Sequence, residues 1–198
     1  MSFIKANDSA MGGSNFDRNV LDYYPTPDWI TEAIIPILLN GHILKDYTIW
    51  EPACGEGHMV RVLNRHFQFV NATDIENYES GIEGFYKLDF LKFNQQLFPE
   101  NCIITNPPYG NMAEKFIVKA LEVLPKRDGV CAFLMRNEYD CAKTRAYLFN
   151  KYPFAGKVVL TTRPKWIEGS TGSPRHNYAW YIWDYKHTGH PYIEYYVK

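Results

Sequence analysis

Short unbroken apolar runs alternate along the chain with stretches whose apolar residues recur at helical spacing. The runs at 47–52, 67–74, 102–106, 129–135, 157–162 and 177–185 read as strands. A weaker strand is predicted at 86–88 and an edge strand at 193–197. Strands that are apolar at nearly every position are buried on both faces. Thr26 and Pro27 predict a helix start, with Thr26 as N-cap and Pro27 in the first turn. Ile30, Ala33, Ile34, Ile37 and Leu38 form that helix's apolar face, and Asn40-Gly41 ends it. A second helix carries Met59, Val62, Leu63 and His66. A third, over 112–124, shows Phe116, Ala120, Leu121 and Leu124 on one face, and a fourth is predicted over 138–151. Strands alternating with helices place the chain in the α/β class, a mostly parallel sheet with helices on both faces.

Polar residues gather at one edge of this sheet. Glu51-Pro52, Asp74, Asp89 and Asn106 all stand at carboxyl ends of predicted strands, where open α/β sheets bind their ligands. The first strand runs into the loop Glu51-Pro52-Ala53-Cys54-Gly55-Glu56-Gly57. Gly55 and Gly57 permit a tight turn and close approach of a ligand to the backbone. No Lys-Ser/Thr follows, so a phosphate-cradling loop is not indicated. Glu51 and Glu56 would repel a pyrophosphate and suit a sulfonium or an ammonium. Asp74 stands about where a carboxylate accepts both hydroxyl protons of a ribose. Asp89 has two readings: acceptor for an exocyclic amine of adenine, or N-cap of the turn that follows.

The chain has 198 residues, 46% of them apolar, and a net charge of −1, so no global basic field announces a nucleic acid. Length and the lack of an internal linker predict one domain over 21–198, preceded by a flexible segment over 1–20. Cys54, Cys102 and Cys131 lie in or beside strand-like runs and read as reduced core residues of a cytoplasmic protein. Neither a signal peptide nor a membrane span is expected. No His/Cys/Asp set has metal-ligand spacing, so no metal is expected. Many of the fifteen Tyr, twelve Phe and five Trp fit a core, and a surplus of them also suits a protein that stacks on flat rings.

The fourth strand ends in Thr105-Asn106-Pro107-Pro108-Tyr109-Gly110. Two adjacent prolines continue neither helix nor sheet, and they hold one amide and one ring rigidly in space. An exocyclic amine is a weak nucleophile, because its lone pair is delocalised into the ring. Two preorganised acceptors aimed at its hydrogens favour a pyramidal nitrogen and localise that pair. A base inside a duplex must be flipped out and stacked on a ring to reach such a site.

In these pieces the sequence resembles the class I S-adenosylmethionine-dependent amino-methyltransferases, most closely the DNA N6-adenine methyltransferases of the small phage-type group. The matching parts are Tyr23-Tyr24-Pro25-Thr26-Pro27, the glycine loop, Asp74, Asp89, the Asn-Pro-Pro-Tyr motif and the late stretch from Arg163-Pro164 to Asp184. The resemblance implies a Rossmann-like sheet, mostly parallel with an antiparallel C-terminal strand, and S-adenosyl-L-methionine as cofactor. Glu51, Pro52, Ala53, Gly55 and Gly57 would meet its methionine part, with Tyr24, Thr26 and Pro27 at the carboxylate. Asp74 and Ile75 would take the ribose and adenine, Asp89 and Phe90 the adenine, and Phe116 would close that pocket. Asn106 and the Pro107 carbonyl would accept from the target amine, with Pro108 stiffening the motif and Tyr109 stacking on the base.

The loop 163–176 adds Arg163, Lys165, Arg175 and His176 around Trp166, against the single acid Glu168. Cations for phosphates and a ring for a base suit a nucleic-acid strand. Trp166 folded onto the core and His176 as an ordinary loop residue remain open at this level. No separate target-recognition domain is visible, so specificity is expected to be short, or to need a homodimer or a second subunit. The expected partner is DNA, in a prokaryotic or phage-infected cell. RNA adenine, a protein glutamine amide and a catalytically silent binding subunit are the alternatives.

Overall fold

The computed structural model describes residues 25–78, 81–93, 100–166 and 173–198. The segment 1–20, Tyr24 and the middle of the late loop lie outside the described residues. Eight strands form one sheet: β1 (Thr48–Glu51), β2 (Phe69–Asp74), β3 (Phe85–Lys87), β4 (Cys102–Thr105), β5 (Val130–Arg136), β6 (Phe154–Leu160), β7 (Tyr178–Asp184) and β8 (Tyr192–Tyr196). Their spatial order is β3-β2-β1-β4-β5-β7-β6-β8. All neighbours are parallel except those of β7, which runs antiparallel to both β5 and β6. The antiparallel strand expected from the resemblance is therefore β7, and the edge strand β8 returns parallel to β6.

Two apolar layers sandwich the sheet. Helices α1 (Asp28–Leu39) and α2 (His58–Leu63) cover one face, where Ile30, Ile34 and Leu38 meet Ile49, Ile104 and Trp180. Helices α3 (Asn111–Val123) and α4 (Ala146–Asn150) cover the other, where Phe116, Ile117 and Leu148 meet Ile103, Phe133 and Trp183. Every residue of β7 is buried, as an apolar run of that length requires. Its indoles fasten both layers: Trp180 Nε1 donates to the Ile30 carbonyl at 3.0 Å and Trp183 Nε1 to the Leu148 carbonyl at 2.9 Å. At the far edge His42 bridges Asp184 Oδ2 (2.7 Å) and the Tyr192 hydroxyl (2.8 Å), which ties the approach to β1 to β7 and β8. Cys54, Cys102 and Cys131 are buried and free, and Cys141 is exposed.

Two expected elements are corrected. The helix predicted over 138–151 is two short 3₁₀ turns, Tyr139–Cys141 and Lys143–Arg145, followed by the five-residue α4. Tertiary bonds override helical spacing there. Asp140 bonds Lys157 Nζ at 2.9 Å and the Tyr181 hydroxyl at 3.1 Å, and Arg145 stacks on Tyr139 while donating to its carbonyl. Thr26, expected as the N-cap of α1, is not one: Pro27 holds that position, with no side-chain cap bond. The Thr26 hydroxyl is engaged elsewhere, by Asn106.

Candidate functional site

The sheet order reverses between β1 and β4, and there the carboxyl ends of the strands open a crevice. A cleft of about 900 Å³, its open mouth included, occupies that place. Four strand ends, those of β1, β2, β3 and β4, and their loops build it.

Glu51 closes β1 and is 1% exposed. Its Oε1 accepts from the Thr105 hydroxyl at 2.5 Å and from the Ala53 amide at 3.1 Å. Burial pushes the carboxyl up to about 8, against the lowering effect of those two bonds, and the nearby Asp74 adds to the rise. A carboxyl so placed holds its proton at neutral pH unless a cation joins it. The glycine loop follows. Gly55 (φ 51°) and Gly57 (φ 78°) both take left-handed backbone, and Gly57 sets the start of α2.

Asp74 at the end of β2 shapes that loop. Its Oδ2 accepts from the Gly55 amide at 2.8 Å and its Oδ1 from the Glu76 amide at 3.1 Å. Burial raises its carboxyl above the usual range, with the backbone bonds opposing. The N-cap reading of Asp89 holds. Its side chain caps a short 3₁₀ turn through the Leu91 amide at 3.1 Å, and it also lines the cleft. Phe90 packs on Phe116 with ring centroids 5.0 Å apart and edge-on to Trp50 at 5.1 Å, so the cleft has an aromatic wall.

Asn106 leaves the end of β4, and the two prolines follow it without helix or ladder. Its Nδ2 donates to Thr26 Oγ1 at 3.1 Å. Its Oδ1 is buried and has no partner among the described residues, although Asn106 lines the cleft. Tyr109 is half-buried, its ring tilted toward Tyr178 at 6.2 Å and edge-on to Trp166 at 6.5 Å. Trp166 packs on Tyr178 at 4.9 Å, so it is both folded onto the core and part of the rim at Tyr109.

The cleft brings together Thr26, Glu51, Pro52, Ala53, Gly55, Asp74, Ile75, Asp89, Phe90, Asn106, Pro107, Pro108, Tyr109 and Phe116. Pro27 and Gly57 do not line it: Pro27 begins α1, and the missing side chain of Gly57 leaves room for Ile82, whose Cδ1 would lie 2.1 Å from a Cβ. Tyr78 and Met112 line it as well. Their only sequence signal is position, each a few residues past a strand-end motif.

The basic residues of the late loop flank the aromatic rim. His176 Nε2 meets the Arg136 guanidinium at 3.4 Å. Partial burial, then the charges of Arg136, Arg175 and Arg163, lower the His176 imidazole, offset in part by Glu138. Arg163 braces the loop through Asn177 Oδ1 at 2.8 Å and the Pro174 carbonyl at 3.3 Å. Lys165 and Arg175 are exposed. Arg136, at the end of β5 and touching Tyr178, belongs to this cationic group. It reads in the sequence as the close of a core strand.

The chain matches no protein-family model and no curated protein sequence. Solved structures do match it. A candidate class I S-adenosylmethionine-dependent methyltransferase of Listeria monocytogenes aligns over 86% of this chain and 64% of its own, at TM-score 0.62 and 15% identity. The methyltransferase subunit of a type I restriction-modification system from Streptococcus thermophilus aligns over 86% of this chain and 46% of its own, at 0.67 and 12%. A candidate RNA methyltransferase of Pyrococcus horikoshii aligns over 88% and 92%, at 0.67 and 14%. The fold is that of the class I S-adenosylmethionine-dependent methyltransferases. This chain spans under two thirds of the length of the first two of these proteins.

The residues of the cleft fit the cofactor that this methyltransferase fold implies. Two carboxyls of the lining, Glu51 at the end of β1 and Asp74 at the end of the neighbouring β2, suit a ligand that carries a cationic group and a ribose. Among the described residues no set of three or more His, Cys, Asp or Glu could hold a metal ion. No helix among them is long and apolar enough to cross a membrane.

Proposed function

We propose that this chain transfers the methyl group of S-adenosyl-L-methionine to the exocyclic N6 amine of adenine in DNA. The observation that carries the reading is Asn106, which lines the cleft at the end of β4 with an amide oxygen that is buried and unpaired among the described residues. A buried acceptor left without a donor is unfavourable, and an arriving amine hydrogen satisfies it.

Bound in the cleft, the cofactor supplies an electrophilic methyl group on a sulfonium. The protein's own part is alignment and electrostatics. Glu51 faces the ammonium and sulfonium end, Asp74 the ribose hydroxyls, and Ile75, Asp89 and Phe90 the adenine ring. Asn106 Oδ1 and the Pro107 carbonyl accept the two amine hydrogens and localise the nitrogen lone pair toward the methyl group. Pro107 and Pro108 keep both oxygens in place, so no reorganisation is needed as charge develops. Tyr109 stacks on the flipped base, with Trp166 closing its edge. Lys165, Arg175, Arg163, Arg136 and His176 face the phosphates beside it. The Streptococcus neighbour is a subunit of a restriction-modification system, which supports a homodimer or a second chain as the source of sequence specificity.

The test is transfer of labelled methyl from S-adenosylmethionine to duplex DNA, single-stranded DNA, RNA and a glutamine-containing protein, followed by nucleoside analysis. N6-methyladenine in DNA is the expected product. Label confined to RNA or protein, or no label while cofactor binds, overturns the reading. Asn106→Ala is expected to lower kcat by about 10²–10³-fold with cofactor affinity nearly unchanged. Equal loss of both would remove Asn106 from its role.

A further inference from the structure

β8 closes the sheet beside β6, and among the described residues no strand pairs with its outer side. Peptide groups alternate in direction along a strand. The Tyr196 carbonyl accepts from the Thr161 amide, just past β6, at 3.0 Å, so Tyr192, Glu194 and Tyr196 turn their peptides inward. Ile193, Tyr195 and Val197 turn theirs outward, to the bare edge. Side chains alternate too. Tyr192 and Tyr196 pack on the α1 layer, where Tyr196 stacks on Trp29 and Lys198 lies over the same indole at 5.0 Å. On the opposite face stand Ile193, Tyr195 and Val197, 61%, 69% and 76% exposed. An apolar row on a bare edge is a template for another strand.

The charges say which strand. Glu194 and Lys198 are both exposed and share the α1-side face of β8. Antiparallel pairing of β8 with a second β8 has a two-fold axis, and the residue at the axis sets the register. With Glu194 at the axis, two carboxylates oppose one another. With Tyr195 there, Glu194 opposes Tyr196. With Tyr196 there, each Glu194 opposes the Lys198 of the other copy, and each Tyr195 opposes Val197, an aromatic against a β-branched residue. In that register Tyr195 and Val197 also exchange the hydrogen bonds that both offer outward.

We propose that β8 is the interface through which two copies of this chain pair, antiparallel about Tyr196, into one continuous sheet. The pairing does not depend on what the cleft binds.

Sedimentation equilibrium from micromolar to near-millimolar protein tests it. The wild type is expected to dimerise reversibly. Glu194→Lys and Lys198→Glu each set like charges opposite one another at both symmetric positions, and each should raise the dimer Kd at least about tenfold. Combined in one chain they restore unlike charges, and the double variant should return to within about threefold of the wild type. A chain that stays monomeric throughout that range overturns the proposal, even if another protein binds the strand. So does a dimer that the single changes leave alone, or one that the double variant weakens as much as the two singles together. Both side chains are exposed, so the variants are expected to fold as the wild type does.

Cross-linking reads the register. In a Cys141→Ser background, which removes the exposed thiol, Tyr196→Cys should form a symmetric disulfide on mild oxidation, because its two copies meet at the axis. Glu194→Cys should not, since its copies lie about 13 Å apart along the strands. A disulfide in Glu194→Cys in preference to Tyr196→Cys overturns the register and the proposal with it.

Discussion

Glu51 concentrates the electrostatics of the site in one carboxyl. Its ordinary value of 4.5 is raised by burial to about 8 in the folded chain. Between those two values the folded protein holds a proton that the unfolded chain has released. Folding stability therefore falls as pH rises from about 4.5 to about 8, and Asp74, also raised, acts with the same sign. The melting temperature of the free protein is predicted to drop across that window. Glu51→Gln should flatten the drop, and an unchanged profile would mean the carboxyl is solvated. A cationic ligand reverses the preference. S-adenosylhomocysteine carries an ammonium, so its binding near neutral pH is predicted to release a proton. Calorimetry in buffers of different ionisation enthalpy reads that proton directly, and Glu51→Gln should abolish it.

At the scale of elements, what could be read from the sequence depended on how local the cause was. Cys102–Thr105 and Val130–Arg136 announce themselves because burial on both faces demands continuous apolar residues. The glycine loop and the Asn-Pro-Pro-Tyr turn are legible because their backbones need those residue types. The 138–151 segment misleads, because Asp140 and Arg145 answer to Lys157, Tyr181 and Tyr139 rather than to helical neighbours. Thr26 misleads for the same reason. Gly57 carries its information in its backbone: at φ 78°, with Ile82 filling its missing side chain, Gly57→Ala should cost about 1–2 kcal/mol, seen as a lower denaturant midpoint. The late loop predicts a different signature. Lys165→Ala and Arg175→Ala should weaken DNA binding across sequences alike, each lowering the slope of log affinity against log salt by about 0.9. A sequence-dependent loss with an unchanged slope would move these residues from phosphate to base.

For the whole molecule, the cleft is shared among β1, β2, β3 and β4 and both helical layers, so a ligand there is predicted to stabilise the fold as a unit. S-adenosylhomocysteine at about a hundredfold above its Kd should add about 2.7 kcal/mol to unfolding. A melting curve that does not move with ligand would detach the cleft from the cofactor. The topology behind this site was only half visible beforehand. Alternation of strands and helices gives the parallel half, but no local pattern says that β7 lies between β5 and β6.

That insertion bears on how the chain reaches its structure during synthesis. While a ribosome has made the protein only as far as β6, the place between β5 and β6 has no occupant, and both strands offer bare edges. Such edges pair readily with other chains. The strand that fills the gap is buried at all seven of its positions, and its indoles reach both helical layers. Completion of the sheet is thus postponed to residues 178–184, and a nascent chain stalled short of them should be a substrate for chaperones rather than a smaller version of the finished protein.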